Sequence, residues 1–227
     1  MNPACPLVLN VVYSSIMRRL FVLAVMLVLG QGAMALSLWG AEINGLEVGT
    51  GLMWIRNTVE NSAPDPICNT FEVSVPFRIQ NFWIFRPEVQ MFFQTYGYQN
   101  GRAIPIESMF DSVSMMGLLF NPTFGAEWRL SPYLRTYAEG GLGLLFRLPV
   151  FLNGVTAGSM AGPITAWFAG GRFLYPDLGG GLSWQFSPLL ALMLRGQVFY
   201  PIFNLWNQLP WDDELTLEAS VGVRFTF

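Results

Sequence analysis

The sequence predicts an all-β fold, an eight-stranded antiparallel up-and-down transmembrane β-barrel that is preceded by a cleaved signal peptide. Three observations predict it. Hydrophobic residues alternate with polar or small residues along eight segments of the chain. Long and short connections alternate between those segments. Only 12% of the residues are charged whereas 52% are hydrophobic, and that charged fraction is about half of what a soluble domain usually carries.

The composition excludes several kinds of chemistry. The chain has 227 residues and no histidine, and all 12 of its basic residues are arginine. It therefore lacks a histidine base, a Ser-His-Asp triad, a histidine metal site and a lysine Schiff base. The net charge of −3 argues against binding to nucleic acid. We expect no enzymatic activity, no cofactor, no metal and no nucleic-acid partner.

The first 35 residues have the pattern of an export signal. Arg18 and Arg19 precede an apolar run over residues 20–29, and Ala33-Met34-Ala35 forms a small-residue cleavage site. The apolar run is too short to be a membrane-spanning helix. We expect residues 17–35 to be a signal peptide cleaved after Ala35, and residues 36–227 to form the barrel. Residues 1–16 fit no part of such a signal, so we interpret them as an upstream extension with translation beginning at Met17.

Each of the eight segments has one apolar face and one polar face. The last segment is the clearest, because Leu217, Ala219 and Val221 alternate with Glu218 and Ser220. The predicted strands span residues 44–56, 69–80, 83–96, 112–130, 133–148, 177–187, 189–200 and 215–227. Cys68 lies between two of them and would be the single cysteine of the mature chain, so we expect no disulfide within it.

The connections predict how the strands cross the membrane. Tight turns join strands two and three, four and five, and six and seven, whereas long loops span residues 57–68, 97–111, 149–176 and 201–214. This alternation is typical of an outer-membrane barrel with both termini in the periplasm. An eight-stranded interior is too narrow to hold the large apolar face together with the charged one, so the apolar face is predicted to contact lipid. Aromatic residues near the strand ends predict a girdle at the membrane interface: Trp39, Trp54, Trp83, Trp128, Tyr133 and Trp184.

Charged side chains on the polar face are predicted to form ion pairs inside the barrel, because an unpaired buried charge is costly. Glutamates and arginines balance in number on this face, and most of them fall in the periplasmic half. The predicted interior ion pairs involve Glu47, Glu72, Arg78, Arg86, Glu88, Glu127, Arg129, Arg135, Glu139, Arg195, Glu218 and Arg224.

The outer half of the interior is predicted to be apolar and open to the outside. Its predicted lining consists of Met53, Ile55, Phe92, Tyr96, Val113, Met115, Leu119, Leu145 and Phe199. Ion pairs would close this funnel below, so a solute would have to leave sideways through the wall. Pro76, Pro87 and Pro122 mark where the wall is weakest, because proline has no N–H to donate to a neighbouring strand.

The signal peptide, the eight strands, the three tight turns and the C-terminal run over residues 221–227 resemble the outer membrane protein W (OmpW) family. The alternating segment that ends in Phe227 resembles the signal read by the barrel assembly machinery. The absence of lysine and the abundance of methionine and phenylalanine resemble a spirochaetal, treponemal member. The resemblance implies a narrow barrel in the cell outer membrane with an apolar channel for small hydrophobic molecules. Loop 149–176 departs from the family, and we predict no role for it.

Two functions are compatible with these features. The first is a channel for small apolar solutes that enter from the outside. The second is a non-conducting, ion-paired barrel whose surface loops bind an extracellular host protein, as an adhesin does. Apolar and aromatic side chains displayed on extended loops would favour the second. Asp212, Asp213 and Glu214 are predicted to form a solvated loop. A general aqueous porin is excluded, because porins need about 16 strands.

Overall fold

The computed structural model describes residues 41–58, 67–79, 82–99, 102–104, 112–154 and 157–226. The predicted upstream extension, the signal peptide with Ala35, and Trp39 lie outside the described residues. The strands are β1 (Glu42–Ile43), β2 (Leu46–Ile55), β3 (Ile67–Ser74), β4 (Phe77–Ile79), β5 (Trp83–Arg86), β6 (Glu88–Gln99), β7 (Arg102–Ile104), β8 (Ser112–Phe120), β9 (Thr123–Arg129), β10 (Leu134–Asn153), β11 (Leu174–Gln185), β12 (Leu190–Phe199) and β13 (Thr216–Phe225). The helices are α1 (Ala157–Ala169) and α2 (Asn204–Asn207).

These strands form one antiparallel sheet that closes on itself. β13 pairs with β2 from Thr216↔Ile55 to Phe225↔Leu46, which joins the last wall strand to the first. β10, β11, β12 and β13 follow one another around the wall. Closure removes the free edges of the sheet and satisfies the backbone hydrogen bonds within the wall, as a membrane-spanning sheet requires. The predicted all-β barrel is confirmed.

The prolines explain why the sheet has more short strands than the barrel has wall strands. Pro76, Pro87 and Pro122 lie in the interruptions between β3 and β4, β5 and β6, and β8 and β9, because proline has no N–H for the ladder. The register of β3 with β6 continues unchanged in β4 with β5, and that of β6 with β8 continues unchanged in β5 with β9. On the other side of β3 and β4, the register shifts by one residue between Glu47↔Ser74 and Ile43↔Phe77. Each interrupted pair is therefore one wall strand. β1 and β2, separated by Asn44 and Gly45, form another, and β7 is a hairpin partner of β6, so the described residues form eight wall strands.

Backbone hydrogen bonds also continue through this proline level of the wall. Asn44 N donates to Pro76 O at 2.8 Å, and Val75 N donates to Pro87 O at 3.2 Å. Asn121 N donates to Glu88 O at 2.9 Å. The prolines therefore sit at strand ends in a bonded wall, and not beside a gap. This arrangement removes the structural basis of the predicted sideways exit.

The extracellular side is more ordered than the loop pattern predicted. β10 extends to Asn153 and β6 to Gln99, and they pair with β8 at Leu152↔Val113 and Tyr96↔Val113. α1 lies within the predicted loop 149–176, and α2 lies within the predicted loop 201–214. One side of the barrel thus rises above the rest as a short extension of the wall.

The outer face of the wall carries exposed apolar side chains. Leu178 is 73% exposed and Leu194 is 50% exposed, and a surface of this kind around a closed barrel is suited to lipid. Aromatic residues are exposed near the periplasmic turns, namely Trp83, Trp128, Tyr133 and Trp184. Val75, Phe77 and Ile79 lie on the apolar face of the predicted strand 69–80, which would place them against lipid, but they are buried in a small cluster with Ala41. Within the described residues, no helix has the length and hydropathy needed to span a bilayer.

Candidate functional site

The periplasmic end of the interior is closed by a network of ion pairs, the charged floor, which is formed by Glu47, Arg78, Arg86, Glu127, Arg135, Glu139 and Arg224. Arg86 is fully buried and pairs with Glu47 at 3.1 Å and also with Glu139. Arg224 pairs with Glu47 at 2.6 Å and with Glu127 at 3.1 Å. Each of these buried arginines bridges two glutamates from different strands, so the network ties opposite parts of the wall together.

Glu127 organises the periplasmic edge of the charged floor. Besides Arg224, it pairs with Arg78 at 3.2 Å and with Arg135 at 2.7 Å. Deeper in the floor, the Arg86 guanidinium lies 4.5 Å from the centre of the Tyr137 ring, a separation that suits a cation–π contact. These shared partners compensate the buried charges, whose isolation would be costly.

A second polar layer lies above the floor. Arg195 pairs with Glu88, with Glu139 at 3.0 Å and with Glu72 at 3.8 Å. Amide side chains fill the remaining space in this layer. Gln90 Nε2 donates to Glu88 Oε1 at 2.6 Å, and Gln197 Nε2 donates to Asp177 Oδ2 at 3.2 Å. Arg195 therefore links this layer to the floor through Glu139.

The outer half of the interior is an apolar layer in which the predicted lining residues touch one another. It consists of Met53, Ile55, Cys68, Phe92, Leu119, Leu145, Tyr175, Phe199 and Phe203. Side chains of this layer line a cavity of about 10 Å³, which is at the lower limit for one water molecule. Val113 is also buried, whereas Tyr96 and Met115 are half-buried nearer the rim. The predicted funnel is therefore filled by its own side chains.

Residues 201–215, which we call the lid, cover the apolar layer on the extracellular side. Phe203 is fully buried and its ring lies 5.4 Å from that of Tyr175 in an edge-on arrangement. The Glu214 carboxylate accepts a hydrogen bond from Tyr175 Oη at 2.8 Å and pairs with Arg172 at 3.4 Å and Arg147 at 3.5 Å. Asp213 also accepts a hydrogen bond from Thr58 N at 2.8 Å, and Asp212 pairs with Arg56 at 3.0 Å. The lid is thus anchored by the Phe203 ring and by its carboxylates.

Some charged residues have other environments than the sequence predicts. Arg129 is exposed at the end of β9, where its Nε donates to Ser131 O at 3.2 Å, so among the described residues it joins no ion pair. Glu218 faces the interior, but its hydrogen-bond donor is Thr70 Oγ1, at 2.7 Å, and not an arginine. Asp213 and Glu214 are buried and not solvated, because the loop that carries them folds into the barrel mouth.

Sequence reasoning missed several residues that fill the bore. Tyr175, Asp177 and Arg147 have the parity of the inward face. Asp177 and Arg147 lie within the predicted strands 177–187 and 133–148 but next to their ends, whereas Tyr175 lies just outside its predicted strand. Gln90 and Gln197 also lie on the polar face, but they carry no charge, so the sequence pattern did not predict them as ion-pair partners. Phe203 belongs to a loop without periodicity, so the sequence offered no signal for its position.

No protein-family model matches the chain, and the search of curated proteins gives no match. Solved structures do match. Neisserial surface protein A (NspA) superposes with a TM-score of 0.50 at 14% identity, over 83% of this chain and 99% of that one. Ail, the attachment invasion locus protein of Yersinia pestis, superposes with a TM-score of 0.48 at 12% identity, over 81% of this chain and 97% of that one. A de novo designed transmembrane β-barrel superposes with a TM-score of 0.42 at 12% identity, over 82% of this chain and 98% of that one.

The similarity to NspA concerns the fold. Independent of that similarity, the described wall is a closed antiparallel sheet with a charged interior and an exposed apolar outer face. Such a sheet satisfies its backbone groups internally and offers lipid an apolar surface. The protein is an outer-membrane β-barrel, and the lipid bilayer is its partner.

Proposed function

We propose that this barrel is closed and acts through its extracellular surface, where it binds an extracellular protein. The observation that carries the proposal is that, among the described residues, side chains fill the bore from the charged floor to the lid. A pocket for a small molecule usually measures roughly 300–1,000 Å³, whereas the cavity in the apolar layer measures about 10 Å³. A barrel filled in this way has its accessible chemistry at its surface.

The lid carries an exposed apolar group, which we call the crest and define as Leu205, Trp206 and Trp211. These side chains are 67%, 52% and 64% exposed. Clustered exposed apolar side chains often mark interaction sites, and tryptophan is enriched among the residues that contribute most to binding between proteins. The crest therefore fits a protein partner with an apolar pocket.

Hydrogen bonds hold the crest in place. Trp206 Nε1 donates to Gly170 O at 2.9 Å, and Asn207 Nδ2 donates to the same oxygen at 2.7 Å. Asn204 Nδ2 donates to Asp213 O at 2.6 Å. A surface that is already ordered loses less conformational entropy on binding, which supports a role in recognition.

Attachment of cells that display the full chain tests this proposal. We expect binding to at least one protein in a panel of purified serum and matrix proteins, and at least a tenfold loss for Trp211→Ala, which removes an exposed anchor. Leu178→Ala is the matched control, because it truncates an equally exposed side chain on the lipid face. Attachment equal to that of cells without the protein, or unchanged in Trp211→Ala, would contradict the proposal.

A channel for small hydrophobic molecules that enter from the outside is the second candidate. Its support is the apolar layer beneath the lid, which would become accessible if Phe203 moved outward. Uptake of a small apolar fluorophore and of an ion of similar size into proteoliposomes distinguishes the two functions. Selective uptake of the fluorophore by the wild-type barrel would favour the channel, whereas no uptake of either probe would favour the closed barrel.

Two further assignments remain proposals based on the sequence. Membership of the outer membrane protein W family is supported by the layout of strands and turns and by residues 221–227. Recognition by the barrel assembly machinery is supported by the same C-terminal alternation. Binding of the isolated C-terminal peptide to purified assembly machinery would test the second assignment, with a peptide of scrambled order as its control.

A further inference from the structure

The segment between β10 and β11 contains a long stretch without charge. No acidic or basic residue occurs between Arg147 and Arg172, and α1 lies within this stretch. A surface loop in water is normally rich in charged and polar side chains. The composition of this segment therefore indicates surroundings that are less polar than water.

One face of the C-terminal end of α1 is exposed. Phe168 is 44% exposed, and Ala166 and Ala169 are also exposed. Phe151, which precedes the helix, is 55% exposed. Nothing in the described part of the chain covers this apolar surface, so its natural contact is outside the barrel.

This surface is continuous with the lipid-facing wall. The Phe168 ring lies 6.5 Å from that of Phe146, and the Phe146 ring lies 5.8 Å from that of Phe120. Phe146 has the outward parity of β10, opposite to the buried Tyr137 and Leu145. The end of α1 is therefore an extension of the face that contacts lipid.

The height of Phe146 places this contact at the membrane interface. About twelve residues separate Phe146 from Leu134 at the periplasmic turn, and a strand tilted by about 40° rises roughly 30 Å over that length. The apolar band of an outer-membrane barrel is about 25 Å tall. Phe146 therefore lies at the outer edge of the hydrocarbon, next to the headgroups.

The neighbouring residue points the other way. Trp167 packs against the apolar layer inside the barrel, and its ring lies 4.8 Å from that of Phe168. The helix thus crosses the rim with one aromatic ring on each side. Arg147 and Arg172, which bound the uncharged segment, turn to Glu214 in the lid, so the charges at both ends stay away from lipid.

From these observations we infer that α1 lies in the outer-leaflet interface of the membrane and acts as a lipid-contacting collar beside the barrel mouth. Lipid is the occupant favoured here over a second copy of the chain, because the exposed surface joins the lipid-facing wall without a break. An uncharged helix with aromatic residues is suited to the boundary between headgroups and acyl chains. The inference is independent of the proposed binding function of the crest.

Spin-label accessibility in phosphatidylcholine vesicles tests this inference. A nitroxide is attached to Ala166→Cys or Ala169→Cys in the full chain, with Cys5→Ala and Cys68→Ala to remove both native thiols. Two reference sites are labelled in the same way, Leu178→Cys on the lipid face and Leu205→Cys on the crest. Heat-modifiable gel mobility selects folded barrels for measurement.

We expect relaxation of the α1 labels by oxygen to approach that at Leu178→Cys, with at least fivefold less relaxation by a water-soluble nickel chelate than at Leu205→Cys. Nickel accessibility equal to that at the crest would overturn the inference, since it would place α1 in water. Protection from both reagents, together with spin–spin broadening that disappears on dilution with unlabelled protein, would also overturn it in favour of a second copy. Using two label positions keeps the test valid if one variant fails to fold.

Discussion

Arg86 is the residue on which the charged floor depends most. It is fully buried, and its partners Glu47 and Glu139 come from different wall strands. Replacing it with methionine keeps much of the volume but leaves two carboxylates without their shared cation. We expect Arg86→Met to lower the free energy of unfolding by about 3–5 kcal/mol, as measured by urea titration of the barrel in lipid vesicles.

Arg129 supplies the matched control for this prediction. The sequence pattern predicts Arg129 in the same interior network, but its side chain is exposed and donates a hydrogen bond to a turn carbonyl. We expect Arg129→Met to change the free energy of unfolding by no more than about 0.5 kcal/mol. Equal losses for the two variants would contradict the separation between buried and exposed arginines.

For single residues, alternation in the sequence predicted whether a side chain points into or out of the barrel, but not which residues it contacts. Parity placed Arg195 and Glu88 inward, and the structure brings them together. Arg129 has the same parity yet emerges from the barrel, because it is the last residue of β9. Depth along a strand depends on where the strand ends, and this is the least certain part of any sequence-based assignment.

The lid is the element that decides whether the apolar layer is accessible. Phe203 anchors it by filling space next to Tyr175, and Cys68 lies in the same layer below. We expect Phe203→Ala to loosen the lid and raise the rate at which a water-soluble maleimide labels Cys68 by at least tenfold. Removing a buried ring costs about 3–5 kcal/mol, and about 1.4 kcal/mol already changes an equilibrium tenfold.

Leu205→Ala is the control for the lid, because Leu205 lies in the same segment but is 67% exposed. Cys68 in Leu205→Ala should be labelled at the same rate as in the wild-type chain. Rapid labelling of Cys68 in the wild-type protein would show that the lid does not seal the apolar layer. Unchanged protection in Phe203→Ala would show that Glu214 and its arginines hold the lid without the ring.

Elements differed in how far the sequence determined them. The wall strands were predicted because a period of two persists over most of each strand, and tight turns separate them. The lid and α1 were not predicted, since their positions depend on tertiary contacts such as Glu214 with Tyr175 and Phe168 with Phe146. Neither contact leaves a periodic trace in the sequence.

For the whole molecule, topology could be predicted while the openness of the bore could not. Eight strands with alternating loop lengths fix a closed barrel, because only closure satisfies the backbone in lipid. Whether apolar inward residues line a channel or fill it depends on volumes contributed by several strands and by the lid. Phe92, Phe199 and Phe203 together decide this outcome, and they come from three separate parts of the chain.

The orientation of the whole barrel, with its apolar face toward lipid, predicts a large effect from a charge on the outer wall. Leu194 is 50% exposed on the outer face and lies near mid-height of β12. We expect Leu194→Arg to lower the free energy of unfolding in lipid vesicles by about 2–4 kcal/mol, because arginine near the bilayer midplane must leave water. Leu205→Arg, at a more exposed apolar position on the crest, should change the free energy of unfolding by no more than about 0.5 kcal/mol. An unchanged free energy of unfolding in Leu194→Arg would mean that this face of the wall does not contact hydrocarbon.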